Sequence, residues 1–172
     1  MNIAFLMAGI GLPFRPQIAT VMPLILQSND THSQFSIQKG DKEIAAFKYN
    51  SQSLSVRIHS AQKRVFFLKP AGFLQNRIIL ATEYGVEIGE NHARNRSKGM
   101  VQLGDNKFHY TVAASHITIR DKRKQPLANL TFRNPQPADS YTVAAILFSI
   151  AWLLDSGELK LEKISAEATH TA

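Results

Sequence analysis

The chain has 172 residues, 44% hydrophobic and 19% charged, enough to bury one core without covalent staples. It contains no cysteine, which excludes a disulfide framework, thiol catalysis and thiolate metal sites, and suits a reducing compartment. Its 20 basic and 13 acidic side chains leave a formal charge of +7, a balance that favours anionic partners such as phosphates, nucleic acid or acidic lipid surfaces.

Residues 1–12 are almost wholly apolar, but no Lys or Arg precedes them, and Gly9, Gly11 and Pro13 interrupt any helix. A secretory signal asks for a positive start and a small-residue cleavage site further on. Arg15-Pro16 separates this run from a second, 18–26. Neither approaches the roughly 20 apolar residues that span a bilayer. We expect residues 1–21 to form an apolar packed arm, with a cryptic signal or a later start at Met22 as the alternatives.

From Phe35 onward the pattern has a period of two, as strands with one buried face require. Leu54, Val56 and Ile58 alternate with polar neighbours, as do Phe108, Tyr110 and Val112, then Ile117 and Ile119, then Leu130 and Phe132. A helix could not place those residues on one side. Val65-Phe66-Phe67-Leu68 and Ile78-Ile79-Leu80-Ala81 are apolar at both parities and read as strands covered on both faces. Turn signals fall at Lys39-Gly40-Asp41, Pro70-Ala71-Gly72, Tyr84-Gly85, Gly104-Asp105-Asn106 and Lys124-Gln125-Pro126. Their spacing of about ten residues predicts an antiparallel barrel or sandwich.

The pattern then changes. Asn134-Pro135-Gln136-Pro137 ends the last strand, Asp139 or Ser140 can cap a helix, and Gly157 can stop it. Between them, residues 141–154 carry only Thr142 and Ser149 as polar side chains. A helix apolar all round must be surrounded by protein or lipid. At 1.5 Å per residue this one is roughly 21 Å long, short of the ~30 Å hydrocarbon core. Lodging it inside a curled sheet gives the helix an apolar jacket and the sheet a core. The expected fold is mainly β: an antiparallel β-barrel of roughly ten to twelve strands enclosing one hydrophobic C-terminal helix. A helix laid across an open sheet is the rival. One domain is expected over 22–166, with its central helix at 140–155, Leu159 and Leu161 forming a closing strand, and a tail at 167–172.

Strand meander, proline-rich break and one apolar helix before a short tail resemble the tubby C-terminal-like superfamily, which includes the tubby domain, the plant LURP-one-related proteins and the phospholipid scramblases. The likeness covers residues 35–163 and rests on element order, on the helix at 141–154 and on turns such as Glu83-Tyr84-Gly85-Val86-Glu87-Ile88-Gly89. It implies a closed barrel about a hydrophobic helix and, for the best known relatives, work at membranes. The closing signature of true tubby proteins is absent, so no phosphoinositide-binding residue is carried over, and the cysteine-rich stretch that accompanies scramblases is missing too. Fold alone does not fix function.

Catalytic motifs are not evident: there is no G-x-S-x-G, Walker loop, H-E-x-x-H or dinucleotide fingerprint, and Gly9-Ile10-Gly11 lacks the third glycine. No cofactor and no metal are expected. With a turn at Ala113-Ala114, His109 and His116 would be diagonal neighbours on one outer face, too few ligands for a metal. Glu83, Glu87 and Glu90 read as an exposed acidic edge rather than an acid–base pair.

The basic residues are more informative. In His92-Ala-Arg94-Asn-Arg96-Ser-Lys98 the positive side chains fall at every second position and share one face if the segment is extended. Arg120-Asp-Lys122-Arg123-Lys124 sits at an expected hairpin tip. The same register sets Lys107 opposite Arg120, a like-charge pair that an anion would relieve. The candidate anion-binding residues are therefore Arg94, Arg96, Lys98, Lys107, Arg120, Lys122, Arg123 and Lys124; basic tips that only solvate a sheet edge are the bland alternative. The basic runs hold no aromatic to stack on bases, so nucleic acid ranks below a phosphate-bearing ligand or an anionic membrane. A structural or protein-interaction domain, and a carrier of an apolar ligand in the barrel, are the other expectations. The expected location is cytoplasmic, with peripheral membrane contact.

Overall fold

A computed structural model describes residues 23–59, 63–73 and 77–159. The arm at 1–21, the tail at 167–172 and Leu161 lie outside the described residues. The strands are β1 (Pro23–Ser28), β2 (Gln34–Lys39), β3 (Lys42–Asn50), β4 (Ser55–His59), β5 (Arg64–Ala71), β6 (Arg77–Thr82), β7 (Glu87–Asn95), β8 (Lys98–Leu103), β9 (Asn106–Val112), β10 (His116–Arg120) and β11 (Pro126–Phe132). Each pairs with its successor, and β1 pairs with β11, so the sheet closes into a barrel around α1 (Ser140–Asp155).

Closure differs from the expectation in one respect. All consecutive pairs are antiparallel, but β1 and β11 are parallel, with Pro23 opposite Asn129 and Leu26 opposite Phe132. An up-and-down meander of eleven strands ends in the direction in which it began, so its first and last strands can only meet in parallel. The closing strand is β1, from the second apolar run. Leu159 is in no strand; it is buried beyond the helix, its amide donating to the Leu153 carbonyl at 2.9 Å.

Alternation places one parity of every strand inside. Phe35 and Ile37, Phe47 and Tyr49, Val56 and Ile58, Phe66 and Leu68, Val101 and Leu103, Phe108 and Tyr110, Ile117 and Ile119 all point to the core, and all are buried. From the axis, Ala144 to Ser149, Ile150, Ala151 and Leu153 of the helix fill the lumen. The two buried polar side chains of the helix are satisfied locally: the Ser149 hydroxyl donates to the Ala145 carbonyl at 2.8 Å and the Thr142 hydroxyl to Asp139 Oδ2 at 2.7 Å. Asp139 is the N-cap, accepting from the Thr142 amide at 2.8 Å.

The two strands read as covered on both faces are covered on one. Phe66, Leu68, Ile78 and Leu80 are buried, while Val65, Phe67 and Ile79 sit half-buried on the outer wall. Only Ala81 is fully buried at that parity. Pro70 and Ala71 belong to β5 rather than to the turn. Pro70 is tolerated there because β4 pairs with β5 only as far as Ser55 opposite Phe67.

Because connections alternate, the barrel has two distinct rims. The helix enters at the rim formed by the turns after β1, β3, β5, β7 and β9 and by residues 133–139. Its other end reaches the rim formed by the turns after β2, β4, β6, β8 and β10, where Asn106 donates to Asp155 Oδ1 at 2.5 Å. The first is the entry rim and the second the exit rim.

Candidate anion-binding surface

The eight candidate basic residues do not form one site. Arg94, Arg96 and Lys98 belong to the β7–β8 hairpin at the entry rim. Lys107, Arg120, Lys122, Arg123 and Lys124 lie at the exit rim, at the start of β9, the end of β10 and the following turn. A strand of six residues at about 3.3 Å each is roughly 20 Å long, and at the usual barrel tilt of about 40° this puts roughly 15 Å between the rims.

The expected extended run from His92 to Lys98 is a hairpin instead. β7 ends at Asn95, which pairs with Lys98 beyond a bulge after Ala93. The Asn95 side chain fixes the reversal, accepting from the Ser97 amide at 2.9 Å and the Ser97 hydroxyl at 3.1 Å. Arg94, Arg96 and Lys98 are all exposed at this tip, and no ion pair or side-chain hydrogen bond holds them among the described residues.

At the exit rim the hairpin register also differs. The β9–β10 turn is centred on Ala114-Ser115, with the Ala113 amide donating to the His116 carbonyl at 2.8 Å. Moving the turn by one residue moves the pairing by two: Thr111 faces Thr118 and His109 faces Arg120. The inward parity survives, but Lys107 lies opposite Gln102 of β8, and the like-charge pair with Arg120 does not exist. Arg120 instead donates to the Thr111 hydroxyl at 3.2 Å. His116 faces Thr131, four residues along β10 from the partner of His109, so the two histidines are not neighbours. Among the described residues no group of three His, Asp or Glu side chains is placed to hold a metal.

The basic tip at the exit rim is built as a hairpin turn. Asp121 Oδ1 accepts from the Arg123 and Gln125 amides, both at 2.8 Å, and Lys124 takes a left-handed backbone at φ 63°. Beside it, Asn106, Lys107, Phe108, Asp121, Lys122, Leu127, Leu154 and Asp155 line a cavity of about 270 Å³. Its two lysines face two aspartates. The rest of this rim repeats that balance: Lys39, Lys42, Lys63 and Arg64 are answered by Asp41, Glu43, Glu83, Glu87, Asp105 and Glu158.

The entry rim has no such balance. Lys48, Lys69, Arg77, Arg94, Arg96, Lys98 and Arg133 stand there against Asp30, Glu90 and Asp139. Arg77 pairs with Glu90 on the outer wall, where His92 Nε2 lies 2.6 Å from the other Glu90 oxygen. The hydrogen bonds from His92 and Arg77 hold the Glu90 carboxyl below its usual range. That engagement removes Glu90 from consideration as a free base. Glu83 is in the turn before β7 and Glu87 at its start. Lys48 also opposes Arg57 directly across β3 and β4, both exposed, a like-charge pair that the sequence pattern did not single out.

Two other features of the entry rim escaped the sequence reading. Phe73, beside Gly72 with its left-handed φ of 81°, is 102% exposed just past the end of β5. Tyr49 is only 4% exposed, yet its hydroxyl has no hydrogen-bond partner among the described residues, and burial together with the nearby Asp139 pushes its pKa up to about 12. Neither has a signal in the linear pattern, since both depend on which turn ends where.

The wall between the rims is apolar inside and mainly polar outside, with Lys48, Arg57, Gln102, His109 and Thr118 outward beside the half-buried Val65, Phe67 and Ile79. This is the reverse of a barrel whose outer face meets lipid chains. Among the described residues no helix is long and apolar enough to cross a membrane. The helix occupies the lumen, which weighs against an apolar cargo there. Trp152 packs on Phe66 at 4.8 Å near the exit rim and stays half-buried.

No protein-family model, curated protein or solved structure matches this chain.

Proposed function

We propose that this barrel is a non-enzymatic docking domain that sets its entry rim on an anionic surface, with phospholipid headgroups as the ligand. One observation carries this reading: basic side chains outnumber acidic ones at one rim, and among the described residues no ion pair answers Arg94, Arg96 and Lys98 there. A flat surface can meet only one end of a barrel, so Arg94, Arg96 and Lys98 bear the contact, supported by Lys69 and Lys48. The remaining five basic candidates, from Lys107 to Lys124, face the other way. The barrel about a hydrophobic helix agrees with what the tubby-like resemblance implies of fold, and we read the chain as a tubby-like barrel of cytoplasmic, membrane-peripheral location.

Each basic residue near an anionic leaflet is worth about 1 kcal/mol, and the attraction is screened within a Debye length. The test is co-sedimentation with neutral and with anionic vesicles, at low and at high salt. Binding should be confined to anionic vesicles and lost in salt. Reversing Arg94, Arg96 and Lys98 to Glu removes about 3 kcal/mol of attraction and adds repulsion, so affinity should fall at least ~100-fold. Undiminished binding by the triple variant overturns the assignment.

A second reading, a protein-interaction domain, has its own observation. Tyr84 and Val86, 86% and 59% exposed, lie between Glu83 and Glu87 at the exit rim. A partner there would leave vesicle binding unaffected and would be weakened by Tyr84→Ser.

A further inference from the structure

Three large hydrophobic side chains are exposed among the described residues: Phe73, Tyr84 and Val86. Tyr84 and Val86 share the exit rim with acidic residues. Phe73 stands alone at the entry rim, among the cations. Single exposed apolar residues are ordinary on a protein surface. What distinguishes Phe73 is its place just past the end of β5, on the rim where basic side chains outnumber acidic ones.

The placement follows from register. Ala71 faces Arg77, Arg77 faces His92, and His92 faces Met100, so these four residues form one row across β5 to β8. Beyond that row, on the same side, lie Gly72 and Phe73 after β5 and the β7–β8 hairpin with Arg94, Arg96 and Lys98. Neighbouring strands lie about 4.8 Å apart, so the aromatic ring and the guanidinium groups are within roughly 15 Å along one rim. Gly72 permits the turn: its left-handed φ of 81° is strained for any other residue type. Lys69 is exposed on the outer wall of β5, two residues before Ala71.

We propose that Phe73 is a membrane anchor, inserting its ring at the boundary of headgroup and acyl chain while Arg94, Arg96 and Lys98 hold headgroup phosphates. This rests on the docking reading above and adds what that reading lacks, a means of telling a bilayer from a dissolved phosphate. Charge alone is satisfied by either. An apolar ring gains by burial only where there is hydrocarbon to enter.

The experiment compares wild type, Phe73→Ala and Phe73→Trp on vesicles of neutral lipid with a 30-in-100 share (about a third) of anionic phosphatidylserine, and on inorganic phosphate. Burying a phenyl ring against lipid predicts a loss of about 10- to 100-fold in vesicle affinity for Phe73→Ala. Its affinity for inorganic phosphate should match wild type. Phe73→Trp should retain vesicle binding and acquire a blue-shifted emission quenched by brominated acyl chains, over the Trp152 baseline measured in wild type. Phe73 is fully exposed, so neither variant disturbs the core. Wild-type vesicle binding with an undiminished Phe73→Ala, or with an unquenched Trp at position 73, overturns the anchor and leaves the docking reading standing. No vesicle binding by wild type overturns both.

Discussion

The two rims of this barrel are made by the same meander, yet they differ in how charge is used. At the exit rim, Lys107 and Lys122 share a cavity with Asp121 and Asp155, Asp121 is spent on the turn that presents Arg123, and the Asp155 side chain ties the helix to Asn106. At the entry rim, Arg94, Arg96 and Lys98 project from a hairpin held by Asn95, a neutral side chain that fixes the turn without cancelling its charge. A basic run is therefore not informative by itself. What matters is whether the side chains that shape the turn are acids or amides.

The largest effect that separates the rims is in how each end of the helix is fixed. Asp139 accepts from the Thr142 amide and hydroxyl, and its charge faces the positive end of the helix dipole. At the other end the Ser156 amide donates to the Trp152 carbonyl at 2.8 Å, but its side chain makes only a 3.4 Å contact with the Leu153 carbonyl. Asp139→Ala should destabilise the fold by about 1 kcal/mol, lowering Tm by roughly 2–4 °C. Ser156→Ala should leave Tm unchanged within about a degree, given that a weak, part-exposed bond contributes little. Equal losses in thermal melts would mean that the entry end is not the better anchored one.

A smaller, pH-dependent effect belongs to the outer wall below the entry rim. The Glu90 pKa is lowered in the folded chain by His92 and Arg77, so its contribution is fully present above the usual carboxylate range. It is lost as pH falls through the folded pKa. Glu90 is part-exposed, which limits the contribution to about 1 kcal/mol or less. Glu90→Gln should therefore be slightly less stable than wild type at neutral pH in urea melts, and the difference should vanish as pH falls below the carboxylate range. A difference that persists in acid would assign it to packing instead.

The smallest expected change is the sharpest test of the comparison. Reversal of Lys122, Arg123 and Lys124 to Glu alters the net charge as much as reversal of the entry-rim triplet does. If docking is end-on, vesicle affinity should change less than about threefold at physiological ionic strength, because the exit rim lies more than a Debye length from the bound surface. A loss comparable to that of the other triplet in the same sedimentation assay would show that net charge, not placement, governs binding.

Much of the architecture was legible because it rests on local periodicity. Alternation in Ile117 to Ile119 or Phe108 to Val112 names the inner face whatever the partner strand is, and a helix with only Thr142 and Ser149 polar has to be enclosed. The parallel closure was not legible, since it depends on the number of strands. The covering of Phe67 and Ile79 was misread because an apolar residue on the outer parity signals burial only if something lies over it. The candidate surface was half legible. The basic residues were found, but not their division between rims or the absence of the pair formed by Lys107 and Arg120.

The sequence by itself determined the inward residues, the strand-rich meander and the enclosed helix from Ser140 to Asp155, because each follows from side-chain spacing within one segment. Only the tertiary structure decided that β1 closes the barrel on β11, that Arg94 and Lys122 face opposite ways, and that Phe73 stands among cations. Those are relations between segments, fixed by hairpin register and strand count. A one-residue shift in a turn, as at Ala114-Ser115, changes every cross-strand neighbour while leaving the hydrophobic pattern intact.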